Sequence, residues 1–406
     1  MDTGDTAWML MSTALVMVML PGLALFYGGL VRRKNVLSTV MHSFFGLALV
    51  SVVWVIVGFT LAFGPDVNGA GLIGNLDFAM FNGVGQAPSP VYAVTIPFML
   101  FAMFQLMFAA ITPALITGAF AERKRFGSFV LFTILWSILI YSPIAHWVWS
   151  TDGWLYKLGA LDFAGGTVVH ISSGVSALVV ALMIGKRHMN GDSKEPHDVP
   201  MTVLGAGLLW FGWFGFNAGS AVTAGGLAAS AFTVTNLAAA AATITWVLAS
   251  YAHTRKVSVV GAACGAVAGL VAITPASGYV TPGGALIIGL VAGGLCYSAT
   301  LLRARSRVDD ALDVFAVHGV GGMFGAIATG IFASATVQSA YSGLLDGNPQ
   351  QLVTQGVAVG ATVLYAAIGT VAIVKVVDVL LGLRVKPEVE ELGLDIGVHG
   401  EAAYQV

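Results

Sequence analysis

Long apolar stretches alternate with short polar or turn-rich breaks along the whole chain. A helix rises about 1.5 Å per residue, so about 20 apolar residues suffice to cross the roughly 30 Å hydrocarbon layer of a bilayer. Eleven windows meet that requirement, near 8–31, 38–63, 91–119, 128–149, 164–185, 200–223, 228–252, 258–274, 283–302, 311–334 and 353–383. The breaks "FGPDVNGAGLIGN", "GVGQAPSP", "KRHMNGDSKEPHD" and "LLDGNPQ" are rich in the residues that end helices and tolerate water. The pattern predicts an all-α membrane protein with eleven transmembrane helices, a membrane domain over 1–383 and a polar tail over 384–406. The first apolar run follows an acidic lead and precedes its basic cluster, the reverse of a signal peptide, which predicts an uncleaved first span.

The positive charges orient these spans. Of 18 Lys and Arg, 16 follow odd-numbered spans: Arg32, Arg33, Lys34; Arg123, Lys124, Arg125; Lys186, Arg187, Lys194; Arg255, Lys256; Arg303, Arg305, Arg307; Arg384, Lys386. Only Lys157 falls on the opposite side, and Lys375 lies inside the last span. Basic residues favour the cytosolic face, so the N-terminus is expected outside and the C-terminus in the cytosol of a cell inner (cytoplasmic) membrane.

Composition supports the membrane reading and narrows the partners. The chain is 57% hydrophobic and 9% charged, with a formal net charge of −2. A soluble domain carries roughly 25% charged residues, and no basic run here is long enough to attract nucleic acid. Cys264 and Cys296 stand singly in apolar stretches and read as core packing rather than a disulfide framework.

Ionisable residues at membrane depth are costly and mark candidate functional positions. Asp162 opens span 5 and His170 lies inside it; Asp313 opens span 10 and His318 lies inside it. Asp378 and Lys375, three residues apart, read as a helix-surface pair. His42 and His146 fall at span ends, where an interfacial role is the plain expectation. Spans 1–5 and 6–10 would run oppositely through the bilayer, the inverted-repeat plan that places a transport site at the midplane between repeats. His170 and His318 would meet there. Gly-rich stretches such as "GGTVVHISSG" and "HGVGGMFGAIATG" let helices approach closely.

The stretches "FYGGLVRRKNVLS", "DFAGGTVVHISSG", "GWFGFNAGSA", "ITPASGYV", "LDVFAVHGVGG" and "GLRVKPEVEELGLDIGVHGEAAY" together resemble the Amt/Mep/Rh family of ammonium transporters, in its bacterial and archaeal Amt branch. The resemblance spans the chain in order and spacing. It implies a homotrimer with one narrow pore per protomer, ammonium or ammonia as substrate, a cytosolic tail open to PII-type regulators, and no cofactor. Position by position, it implies external recruitment by Trp149, Phe108 and Ser220, with Asp162 beside them. It also implies a phenyl gate of Phe108 and Phe216, and a pore lined by His170, His318 and Trp213. The chemistry suits a small cation: an aromatic face attracts ammonium by roughly 0.5–2 kcal/mol, and two neutral imidazoles can share one proton between a donor and an acceptor nitrogen. Asp162 is expected to cap its helix through the N–H of Ala164 or Gly165, and to attract a waiting cation.

The segment after Trp149, "STDGWLYKLGAL", lacks the triple Gly of many members, which bears on vestibule shape and affinity. Two other classes fit part of the pattern. A bis-His haem carrier also needs two intramembrane histidines and would show a Soret band. An ammonium sensor that binds without conducting would carry the same site, usually with an added signalling domain, whereas this chain ends soon after span 11 with "EAAYQV".

Overall fold

A computed structural model describes residues 1–188 and 195–404. Lys194 and the terminal Gln405 and Val406 of the preceding reading lie outside the described residues.

The apolar windows fold into helices α1 (Thr3–Leu30), α2 (Arg33–Phe63), α3 (Phe98–Phe120), α4 (Phe126–Leu158), α5 (Gly166–Ile184), α6 (Val199–Gly219), α7 (Gly226–Thr254), α8 (Val259–Ile273), α9 (Pro282–Arg305), α10 (Phe315–Phe332) and α11 (Pro349–Leu381). Among the described residues ten are long and apolar enough to cross a membrane, while α8 has 15 residues. Local chemistry sets their ends. The carboxylates of Asp2 and Asp198 accept the N–H of Asp5 and Met201 at the starts of α1 and α6, both at 2.8 Å. Ser258 and Thr281 cap α8 and α9 in the same way. α11 ends at Gly382, whose φ of 70° suits a residue without Cβ.

One helix start departs widely from expectation. The window near 91–119 begins its helix only at Phe98, because Pro90 and Pro97 break the run and Pro97 holds Ile96 extended. The intervening residues form a short hairpin of β1 (Pro88–Ser89) and β2 (Ala93–Pro97).

Polarity is arranged inside out relative to a water-soluble domain. Large apolar side chains including Leu10, Phe44, Ile244, Leu248, Leu364 and Val379 point outward, while Ser172, Ser173, Ser176, Thr202, Asn217 and Thr235 are buried between helices. Lipid satisfies the former; among the latter, Ser176 bonds Thr370 and Asn217 bonds Thr235 across helices, while Ser172, Ser173 and Thr202 donate to carbonyls one turn back.

α5 crosses α10 so closely that a Cβ at Gly174 would lie 2.2 Å from the backbone nitrogen of Gly319. Only glycine fits that crossing, which faces His170 toward His318.

Several sequence expectations are corrected. His42 and His146, expected near span ends, are enclosed by neighbouring helices and loops, at 2% and 0% exposure. The expected Lys375–Asp378 pair does not form: among the described ion pairs none joins them, and Asp378 instead accepts the N–H of Leu383 at 3.1 Å, beyond the end of α11. Cys296 is buried as expected, but Cys264 is partly exposed and lines a cavity shared with Arg303 and His318.

Candidate functional site

The site is built where α5 and α10 begin. The sequence "LDFAGGT" places Asp162 just before α5, and its carboxylate accepts the N–H of Gly165, Gly166 and Thr167 at 2.7, 2.6 and 2.7 Å. It also accepts the Thr167 hydroxyl and, at 3.3 Å, the N–H of Val168. Capping therefore extends further than the expected Ala164 or Gly165, because the first turn is wide: the His170 N–H donates five residues back to Gly165 at 3.1 Å. A matching wide turn at Phe315–Gly319 carries His318. Such bulges re-aim side chains and often mark functional positions.

The two imidazoles meet, with His318 Nδ1 3.2 Å from His170 Nδ1 and ring centroids 5.3 Å apart. One nitrogen donates and the other accepts. His170 stacks on Trp213 at 5.4 Å, and the Trp213 indole N–H is fixed by Thr274 Oγ1 at 2.9 Å. His170 Nε2 is buried with no partner among the described residues.

Outward from the histidines, Phe216 and Phe108 pack at 4.3 Å with planes inclined by 39°. Phe108 then meets Trp149 edge to face at 5.8 Å. The Trp149 indole donates to the carbonyl of Asp162 at 3.0 Å, so Asp162 holds both the start of α5 and the tryptophan. The Ser220 hydroxyl donates to the Phe216 carbonyl at 2.9 Å, leaving its oxygen lone pairs as an acceptor. Trp149, Phe108 and Ser220 line an outer cavity of about 200 Å³, shared with Tyr92, Tyr156 and Gln105. Below the two phenyl rings the space narrows to about 10 Å³ between Phe216, Trp213, His170 and His318, room for about one water-sized body. It opens again, below His318, into a cavity of about 310 Å³.

An outer aromatic chamber, two touching phenyl rings, a constriction beside paired histidines and an inner chamber thus lie in one series. Residues 7–404 match the profile of the Ammonium Transporter Family. The chain belongs to that family. It is 52% identical over 407 residues to the ammonium transporter of Bacillus subtilis, covering all of this chain and 99% of that one. Its fold matches the crystal structure of Saccharomyces cerevisiae Mep2 with a TM-score of 0.89 and 39% identity, covering 96% of this chain and 88% of that one. It also matches a structure titled Sensor Amt Protein, with a TM-score of 0.87 and 32% identity over 97% of this chain and 98% of that one.

At the start of α10, the expected counterpart of Asp162 is corrected from Asp313 to Asp310. Asp313 faces away from the helix start, in a bidentate pair with Arg303 at 2.7 and 2.9 Å. Asp310 Oδ2 instead accepts the N–H of Phe315 at 2.7 Å, five residues on, as Asp162 accepts that of Thr167. The spacing held a signal: Asp162 precedes His170, and Asp310 precedes His318, by the same eight residues. Burial, followed by the Asp313 charge, pushes the Asp310 carboxyl up to about 6.

A charge network that the sequence reading missed surrounds this end. Glu122 pairs with Arg32 at 3.0 Å and with Arg187 at 2.9 Å, and Arg187 reaches on to Asp309 at 2.8 Å. Burial opposes ionisation of Glu122, but Arg187 and Arg32 outweigh it and hold the carboxyl below its ordinary range. The tail joins the network: Glu390 takes Arg384 at 2.7 Å and the His188 N–H at 2.6 Å, while Asp395 accepts the N–H groups of Leu37 and Ser38 near the start of α2. Lys124 is buried with its ammonium over the rings of Phe120 and Phe132 at 4.6 and 4.8 Å. Burial, and after it Arg123, lowers that ammonium to about 7.

Proposed function

We propose that the chain conducts ammonium as ammonia plus a proton. Ammonium is recruited in the outer cavity by the ring of Trp149, the edge of Phe108 and the lone pairs of Ser220, with the Asp162 charge beneath. The stacked Phe108 and Phe216 exclude its hydration shell, so passage of the bare ion is unfavourable. Deprotonation at the gate lets ammonia pass through the narrow space beside Trp213, while the His170–His318 pair relays the proton. Net transport is then electrogenic.

The observation that carries this reading is the nitrogen-to-nitrogen contact of His170 and His318 in a constriction of about 10 Å³ directly below two touching phenyl rings. A neutral pair with one shared proton can hand that proton on without either ring becoming a buried isolated charge.

The reading includes eleven spans, with α8 crossing despite its length, and an inverted repeat of spans 1–5 and 6–10 supported by the matched wide turns of α5 and α10. It places the N-terminus outside and the C-terminus in the cytosol of the cytoplasmic membrane, with a membrane domain over 1–383 and a tail over 384–406. The outward apolar faces suit both lipid and a homotrimer, and the docked tail is where a PII-type regulator would act.

Proteoliposomes on a supported membrane test this directly. An ammonium concentration jump should evoke current in the wild type and none in His170→Ala. Absence of wild-type current with retained ammonium binding would favour a sensor, the reading suggested by the similarity to the sensor protein. Undiminished current in His170→Ala would reduce the pair to packing. Single cysteines at Ser306 and Lys157 should label from opposite faces, and labelling from one face would overturn the topology.

A further inference from the structure

Outside the pore, near the outer end of α4, one buried histidine has an acceptor at each ring nitrogen. His146 Nδ1 lies 3.0 Å from the carbonyl oxygen of Ala62, and Nε2 lies 3.2 Å from Asp66 Oδ1. A carbonyl oxygen only accepts, and so does an ionised carboxylate. A neutral imidazole has one N–H and would turn a lone pair toward one of the two oxygens. The imidazolium has two N–H groups and satisfies both.

Burial works against a charge on the ring, while each partner favours it. Ala62 lies in the last turn of α2, where exposed carbonyls attract a cation. Burial would raise the Asp66 carboxyl, but the N–H groups of the 68–73 turn and His146 bring it down to about 2. It is therefore ionised at any working pH. The other charge facing the ring is Asp152, in the break of α4, which lies 4.0 Å from its own cation, Lys157.

This contact is the inner stitch of a seam. The Trp147 indole donates to the Leu72 carbonyl at 2.8 Å, and the Trp154 N–H to that of Gly71 at 3.2 Å. Ser150, four residues beyond His146, shares a hydrogen bond of 2.9 Å with the Tyr92 hydroxyl. The stitched segment carries Trp149, Thr151 and Tyr156 into the outer cavity. Loss of the inner stitch would let the 64–77 loop lift and the cavity wall shift.

We propose that His146, held as an imidazolium between Ala62 and Asp66, is a positioning residue for ammonium recruitment that makes the outer vestibule sensitive to external pH. This rests on the proposed recruitment at Trp149. As the outside becomes alkaline the ring loses a proton, one contact turns repulsive, and the seam loosens.

The test uses the full-length protein in proteoliposomes, with half-saturation reckoned as ammonium cation and maximal current, at external pH from about 6 to about 9, either side of the imidazole range. Hydrogen exchange of the amides of 66–75, corrected for intrinsic rate, is followed in parallel. In the wild type, half-saturation should weaken about fivefold toward the alkaline end with little change in maximal current, and exchange of the loop should rise with the same midpoint. His146→Gln keeps a donor but does not titrate, so it should show weakened half-saturation and faster loop exchange, both flat with pH. Asp66→Asn keeps an acceptor for the loop amides but no charge to hold the imidazolium, and should move the exchange midpoint down by about one pH unit or more.

Wild-type half-saturation and an unchanged pH profile in His146→Gln would overturn the proposal, as would an unmoved midpoint in Asp66→Asn. If the Gln variant does not fold, the Asn variant decides. If the wild type carries no current, the transport reading fails, while the exchange arm still decides whether His146 clamps the loop.

Discussion

The starts of α5 and α10 use the same device with opposite economy of charge. At the outer end Asp162 is saturated: four backbone N–H groups and a hydroxyl converge on one carboxylate. At the inner end Asp310 occupies the same place relative to its histidine, yet Oδ1 is buried without a partner among the described residues. Around it lie Asp309, Asp313, Arg187 and Arg303, and the buried Lys124 stands beyond them with no hydrogen-bond partner among the described residues. The outer aspartate is held by short local bonds, while the inner one depends on charges brought from four different chain segments. The Asp162 cap should therefore fail by loss of structure, and the Asp310 cap should respond to pH.

The largest expected effect is at Asp162. Replacement by Ala strands the N–H groups of Gly165, Gly166 and Thr167, at about 1–3 kcal/mol for each buried group left unsatisfied, and loosens the turn whose backbone carbonyl at 162 accepts the Trp149 indole. Thermal unfolding of the purified protein should show a large fall in Tm and the current should vanish. Asp162→Asn, which can still cap, should fold nearly normally with reduced transport. Asp310→Ala strands one N–H and should cost about 1–3 kcal/mol; equal destabilisation at the two positions would break the comparison.

Next in size is Glu122→Ala. It leaves Arg32 and Arg187 buried without their shared partner, which costs about 3–5 kcal/mol for a broken buried pair. Faster proteolysis of residues 384–404 should accompany the lower Tm, because Arg187 and the tail contact of His188 with Glu390 adjoin. An unaltered tail would separate the network from tail docking.

Asp310 supplies the pH signature of the inner end. Its carboxyl is raised from 3.8 to about 6, so between those values the folded chain keeps a proton that the unfolded chain has released. This contribution is fully present below about 3.8 and is lost as pH rises through about 6, a change on the order of 3 kcal/mol at 1.36 kcal/mol per unit. Asp310→Asn should remove that slope from the dependence of Tm on pH. The same slope in wild type and variant would assign the titration elsewhere.

The smallest effect is expected at Lys124. Its ammonium is lowered from 10.5 to about 7, so stability is full above about 10.5 and declines as pH falls toward about 7. Lys124→Met should raise Tm near neutral pH by the equivalent of about 1–2 kcal/mol, because the lost attraction to Phe120 and Phe132 offsets part of the relief. A fall in Tm would show that the aromatic cage outweighs burial.

The paired histidines stood out as ionisable residues deep in apolar spans, whereas the phenyl rings and Trp149 were named only through the family resemblance of the motifs that hold them. Asp310 was legible in principle, through the eight-residue spacing to His318 shared with Asp162, but Asp313 lay nearer the apolar run and drew the choice. Glu122 was not legible, since nothing within "FAERKR" shows that its carboxylate meets Arg32 and Arg187 from other loops. Gln105, whose buried Oε1 adjoins the outer cavity, looked like one polar residue in an apolar helix.

The sequence by itself determined where apolar helices form, where they stop and which ionisable residues lie deep among them. Those are sums over neighbouring residues: transfer of apolar side chains, backbone satisfaction within each helix, and capping by Asp, Ser or Thr. Tertiary structure alone decided that His146 faces two acceptors, that Asp313 turns to Arg303 while Asp310 caps α10, and that Lys375 and Asp378 stay apart. These contacts depend on how helices cross, and Gly174 against Gly319 shows the reason. The distance between two backbones at a crossing selects which side chains can meet, and that distance is a property of the packed bundle rather than of any one segment.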